Sequence, residues 1–189
     1  MRPFWDTDVK VVSRRVKQGS IVRVYRGLYA VKEYWERLDQ HERLRHVIRS
    51  LGQWHEQWLF CGASAAVVHG LECSYRQLYP IHVAVDRCRR SKSQANVRYH
   101  VLNDPDAVVI DGVHVTSIQR TLVDCAAMMP FRYALAPIDS ALRQGRITIE
   151  SLLAYADAHP MLRGRERIRS VIAKGNVVSD NGGESECRA

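Results

Sequence analysis

An α+β fold is what this 189-residue sequence predicts. β-branched alternating runs crowd residues 58–115, and capped helical patterns fill the stretch that follows. A third observation concerns charge. Between Val9 and Lys32 lie seven basic side chains (Lys10, Arg14, Arg15, Lys17, Arg23, Arg26, Lys32) and no Asp or Glu, against a formal net charge of +8 for the whole chain. The prediction is a mixed, mainly antiparallel sheet with helices packed on one side, preceded by a small basic module.

The basic module comes first in the chain. Val9, Val12 and Val16 fall at i, i+3 and i+7, while Lys10, Arg14 and Lys17 fall on another face, the pattern of an amphipathic helix. Asp6 or Thr7 can cap its first turn, and Gly19 can take the left-handed conformation that ends it. Ile21 to Ala30 then alternates, with Arg26-Gly27 at the turn, and predicts a hairpin. A helix followed by a basic hairpin is the back half of a winged helix-turn-helix, in which the helix enters the major groove and the hairpin lies along the backbone. On this reading Lys10, Ser13, Arg14, Arg15 and Lys17 contact duplex DNA from the helix, and Arg23 and Arg26 contact it from the wing. The competing reading is a solvated basic helix packed by its valines onto the rest of the protein.

Residues 34–56 are polar and charged, with Leu38, His41, Leu44, Arg45, Val47, Ile48 and Leu51 in an irregular stripe that predicts a connecting helix. Trp58-Leu59-Phe60-Cys61 reads as a short strand, followed by a turn at Gly62 and a small-residue helix closed by Gly70. Ile81–Val85, Val97–Val101, Ala107–Ile110 and Val113–Val115 predict four further strands. Asp111-Gly112 between the last two is a strong type I′ hairpin signal. Thr116 or Ser117 can cap a helix running to about Met129. Phe131 opens a second, ending at Gly145, which Pro137 should kink or split. Thr148 caps a third to His159, and a fourth runs from Arg163 to Lys174 and ends at Gly175. The predicted organisation is a partial winged module over 1–33, a connector over 34–56, an α+β domain over 57–175 and a disordered polar tail over 176–189.

Composition narrows the function classes. With 46% hydrophobic residues, the chain can build a proper core. No apolar run approaches the ~20 residues that span a bilayer, and Met1-Arg2-Pro3-Phe4-Trp5-Asp6 does not begin a signal peptide, so a soluble cytoplasmic protein is expected. The five cysteines (Cys61, Cys73, Cys88, Cys125, Cys187) are odd in number and show no C-x-x-C pairing, which predicts reduced thiols. His41 and His46 are five apart, the wrong step for two ligands on one helical face, so neither a metal site nor a cofactor is expected.

Three constellations could carry chemistry. Gly62-x-Ser64 followed by Val83-Ala84-Val85-Asp86 bears a faint resemblance to the glycine-serine turn and paired acids of nucleotidyltransferases, but those enzymes need two carboxylates two residues apart to hold divalent metal. Here the pair is Ala84 and Asp86, so a tight strand-to-helix turn is favoured and no catalytic residue is assigned. Arg87, Arg89, Arg90 and Lys92 form a basic loop, followed by Arg98 and His100, that could add contacts to nucleic acid or an acidic partner. It lacks interleaved aromatics for stacking bases and reads equally as a solvated loop. Arg120/Asp124 and Asp139/Arg143 are i, i+4 pairs expected to support their helices on the surface.

Four blocks then carry a resemblance. They are Val22-Arg23-Val24-Tyr25-Arg26-Gly27-Leu28-Tyr29-Ala30, Ser64-Ala65-Ala66-Val67-Val68-His69-Gly70-Leu71, the run from Thr116 to Ala126, and Ile138-Asp139-Ser140-Ala141-Leu142-Arg143-Gln144-Gly145. In content and order they resemble the AbiEi-type antitoxin and transcriptional regulator family of actinobacteria, across most of residues 20–175. The resemblance implies a winged helix-turn-helix joined to an antitoxin domain. It also implies a repressor that binds its own promoter in a toxin-antitoxin operon, a nucleotidyltransferase toxin as partner, and a place in phage defence.

Two departures qualify what is carried over. Family members usually have about twenty more residues before the segment matching Asp6–Gly19, so the DNA-binding module is expected to be incomplete. Many relatives also continue past a Glu-Ser step, matched by Glu184-Ser185, into a domain resembling very-short-patch-repair endonucleases, whose strand-borne acids and lysine are absent here. Three readings stay open: a DNA-binding regulator of the antitoxin type, a protein-interaction module without DNA binding, and an inactive remnant of a nuclease-bearing protein. None is an enzyme.

Overall fold

In the computed structural model, which describes residues 9–85, 96–103, 105–160, 162–178 and 182–188, the chain opens with helix α1 (Val9–Lys17). Gly19 follows with φ of +72°, the left-handed end expected of it. Strands β1 (Ile21–Tyr25) and β2 (Leu28–Val31) pair antiparallel around Arg26-Gly27, the hairpin expected after the helix. Asp6 and Thr7, the expected caps, lie outside the described residues. The valine stripe is only partly covered: Val12 is half-buried, whereas Val16 is 39% exposed. The wing is anchored more firmly, since Leu28 is buried within the main core and Gly27 lies against Trp54. A Cβ at Gly27 would stand 3.1 Å from the Trp54 ring.

The expected single connector is two helices, α2 (Lys32–Arg37) and α3 (Gln40–Trp54). Asp39 separates them because it forms a capping box: its side chain accepts from the Glu42 amide, and the Glu42 carboxylate accepts from the Asp39 amide. Then come β3 (Leu59–Phe60), α4 (Gly62–Val68), β4 (Ile81–Val85), β5 (Val97–Val101), β6 (Ala107–Ile110) and β7 (Val113–Thr116). Asp111 and Gly112 both take positive φ, +51° and +76°, as a type I′ turn requires.

The five strands form one mixed sheet in the order β5-β4-β3-β7-β6. Antiparallel pairing, expected to prevail, joins β3 to β4 and β6 to β7, while β4–β5 and β3–β7 are parallel. Local hairpin signals report only neighbours joined by a tight turn, and the two parallel pairs have none. Alternation sorts the side chains: Ile81, Val83 and Val97 are buried, while His82, Arg98 and His100 share the opposite face of β4 and β5. Helix α3 packs on β7, and α4 packs on β4 and β7.

Five helices complete the chain: α5 (Ile118–Met128), α6 (Phe131–Arg143), α7 (Ile149–Ala158), α8 (Arg165–Ile172) and α9 (Gly182–Arg188). Ser117 caps α5 through the Arg120 amide, and Thr148 caps α7 through the Ser151 amide. Pro137 does not split α6, which runs unbroken through it, buried from Tyr133 to Leu142. Tertiary packing here outweighs the missing amide.

Two expectations for this region are corrected. Residues 182–188, placed in a disordered tail, form α9, which packs on α6 with Ser185 buried. Asp139 does not pair with Arg143, which reaches Glu72 instead at 2.6 Å. The Asp139 side chain is fully buried and accepts from the Asn176 amide at 2.7 Å and the Ser185 hydroxyl at 2.7 Å. It therefore ties α9 to α6.

Gly175 ends the last of the four expected helices without taking positive φ. Its role is close approach: a Cβ there would lie 2.9 Å from Leu142 Cδ1 and 3.0 Å from Ile138 Cγ2. Gly175→Ala is therefore expected to overpack this contact and cost about 1–3 kcal/mol. Urea denaturation giving an unchanged midpoint would show that the contact yields freely.

Candidate functional site

Lys10, Ser13, Arg14 and Lys17 line one shallow groove along α1 with Gln18, as their spacing of three to four residues requires. All of them are exposed, and so are Arg15, Arg23 and Arg26. The seven residues expected to contact DNA therefore sit on the solvent side of the helix and wing. The sequence has no Asp or Glu from Val9 to Lys32, and Lys32 at the end of this segment lies 3.8 Å from Glu36. On the wing, the Arg23 guanidinium donates to the Tyr25 carbonyl at 3.4 Å, which holds it beside its own strand. Arg87, Arg89, Arg90 and Lys92 lie outside the described residues, as does Asp86.

A second basic region was not assembled by the sequence reading. Beside the His82–Arg98–His100 face opens a cleft of about 860 Å³ reaching Asn103, Arg120, Asp124, Met128, His159, Leu162 and Arg163. A smaller cavity of about 430 Å³, lined by Arg76, Tyr79, His82 and Arg98, shares His100 and Met128 with it. The sheet supplies the histidines, α5 supplies the shared wall, and the α7–α8 connection supplies the rim. In the sequence, Arg98 and His100 stand out only as neighbours of a basic loop. His82, Arg76 and Arg163 carry no local signal, because only the fold brings them together.

Arg120 and Asp124 are not the surface pair expected of them. Both side chains are 4% exposed, and the guanidinium donates to Asp124 at 3.0 Å and to the Asn103 carbonyl at 3.0 Å. The second Asp124 oxygen is buried with no hydrogen-bond partner. Burial pushes this carboxyl up to about 6, against the opposing pull of Arg120.

His82 and His100 stack with planes 5° apart, and Nδ1 of one lies 2.9 Å from Nε2 of the other. One ring must donate and the other accept, so the two cannot both be protonated while this bond stands. Burial lowers His82 to about 4, with His100 and Arg98 adding to the effect, and burial also lowers His100. A folded-state value below the unfolded value of ~6.5 means that acid favours unfolding. Stability from His82 is present above pH 6.5 and is lost as the pH falls towards 4. Asp124, shifted upwards, contributes the opposite slope between about 4 and 6. His82→Asn should therefore flatten the acid-side loss of stability seen in thermal melts between pH 6.5 and 4. An unchanged slope would remove His82 as its source.

Buried thiols complete the surroundings. Cys61, Cys73 and Cys125 are free, and burial raises all three, Cys73 to about 12, which makes them packing groups and not nucleophiles. Ser64, from the nucleotidyltransferase-like turn, is fully buried and its hydroxyl accepts from the His82 amide at 2.9 Å. Among the described residues no group of three or more His, Cys, Asp or Glu is placed to hold a metal ion. No helix among them is long and apolar enough to cross a membrane. Neither models of known protein families nor curated protein sequences match this chain.

Proposed function

We propose that the chain binds duplex DNA through α1 and the β1–β2 wing, and acts as a transcriptional regulator of the antitoxin type. One observation carries the reading: Lys10, Ser13, Arg14, Arg15, Lys17, Arg23 and Arg26 are all exposed on two adjacent elements, in a segment whose sequence has no Asp or Glu from Val9 to Lys32. A potential of one sign suits a phosphate backbone. The contact of Gly27 with Trp54 and the burial of Leu28 support a wing held in a fixed attitude to the domain behind it. The resemblance of the four sequence blocks to the AbiEi-type family supplies the rest of the proposal. It makes the DNA the protein's own promoter, the partner a nucleotidyltransferase-like toxin, and the activity binding without turnover.

Gel-shift titration tests the DNA contact. If about six phosphates are neutralised, affinity should fall about 10³-fold between 50 and 200 mM salt. The double variant Arg23→Glu, Arg26→Glu should weaken binding to every sequence alike and lower the salt slope by about 2, since wing contacts to phosphate carry no base information. Equal mobility shifts for the variant and the unaltered protein at low salt would overturn the assignment.

A further inference from the structure

Charge in the cleft behind the sheet does not balance. Among its described lining residues the sole carboxylate is Asp124, which is buried and spent on Arg120. Arg76, Arg98 and Arg163 are exposed on the rims, and none has an ion pair or hydrogen bond among the described residues. Burial lowers both His82 and His100, so the positive charge here comes from the arginines. Arginine left unpaired beside a cavity is a ready partner for phosphate oxygens. Apolar surface is present too: Met128 joins the two cavities, next to the stacked imidazoles, and Ala127 and Leu162 line the larger one. At about 860 Å³ the cleft falls in the range of about 300–1,000 Å³ typical of small-molecule sites.

We infer that this cleft is a binding site for a small phosphorylated ligand with a planar body, a free nucleotide, separate from the DNA-binding surface on α1 and the wing. Arg163 on the rim of the larger cleft and Arg98 on the rim of the adjoining smaller cavity hold the phosphates, and Met128 and His100, which the two share, pack against the ring. No bond is made or broken. The ligand is an effector, recognised by a domain that carries the basic wing at its other end of the chain.

Isothermal titration calorimetry on the full chain tests this with ADP, pyrophosphate and a 5′-phosphorylated dinucleotide as probes. ADP should bind saturably, and more tightly than pyrophosphate because the ring adds contact. The double variant Arg98→Ala, Arg163→Ala should weaken ADP binding at least tenfold. Both side chains are exposed and have no ion pair or hydrogen bond among the described residues, so the variant should keep its circular dichroism spectrum and melting temperature. Arg23→Glu with Arg26→Glu should leave ADP binding unchanged, which separates this site from the DNA surface. Absence of saturable ADP binding, or equal affinity in the cleft variant, overturns the inference. Cleft-dependent binding of the dinucleotide more tightly than ADP would assign the site to a nucleic-acid end, and would overturn the free-nucleotide assignment.

Discussion

Arg120→Ala is expected to cost about 3–5 kcal/mol of stability, the range for removing one partner of a buried ion pair. The variant loses its bonds to Asp124 and to the Asn103 carbonyl, and leaves a carboxylate in a site that already gives one of its oxygens no partner. The loss should depend on pH. Asp124 stands at about 6 with Arg120 pulling it down, so removing the guanidinium lets burial raise it further. A carboxyl raised in the folded state binds its proton more tightly there, so stability falls as pH rises through its window. The deficit of Arg120→Ala should therefore be larger at pH 8 than at pH 5, as read by urea denaturation at the two values. A cost below about 0.5 kcal/mol, the scale of an exposed helix pair, would return Arg120 to the surface role first expected of it.

Leu122→Ala, two residues along α5, is expected to cost about 2–5 kcal/mol by a different route. Its side chain is fully buried in the cluster that also holds Phe60, Ile138 and Ile168. Truncation removes apolar contact and leaves a cavity that a core with helices packed around it fills only in part. No charge is involved, so this cost should stay the same at pH 5 and pH 8. Paired denaturation curves of the two variants thus separate an electrostatic deficit from a packing deficit within one helix. A pH-dependent cost for Leu122→Ala would show that the cavity disturbs the Arg120–Asp124 pair as well. A cost under about 1 kcal/mol would mean that the core closes over the gap.

The elements were legible where a local rule fixes them. Asp111-Gly112 needs two positive φ values and has them; Ser117 and Thr148 cap where their side chains can reach an unpaired amide. Gly19 and Gly70 take left-handed conformations beside the helices they close. The basic side chains of α1 and the wing were legible for the same reason, since period and charge alone put them on the outer face. What escaped the sequence depends on distant partners. An i, i+4 Arg–Asp pair has the same spacing on the surface and in the core, and burial at Arg120 is decided by Asn103 and the helices around it. Asp139 is satisfied by Asn176 and Ser185, far along the chain, so its spacing to Arg143 misled. The cleft escaped because His100 and Arg163 belong to a strand and to a helix connection that only the finished fold brings to one cavity.

Strand β3 has a further consequence, for the order in which the molecule is made. Its two residues stand at the centre of the sheet, where Leu59 and Phe60 pair with β4 on one side and Phe60 pairs with Val115 of β7 on the other. A chain emerging from the ribosome can form α3, α4 and β4 early, yet the middle of its sheet keeps an open edge until Thr116 has been synthesised. Closing so long a loop carries an entropic penalty before the pairing returns anything, which slows folding. Until then Phe60, fully enclosed in the native protein, has no β7 to cover it. Nascent chains halted before β7 are therefore the ones expected to need protection from aggregation most.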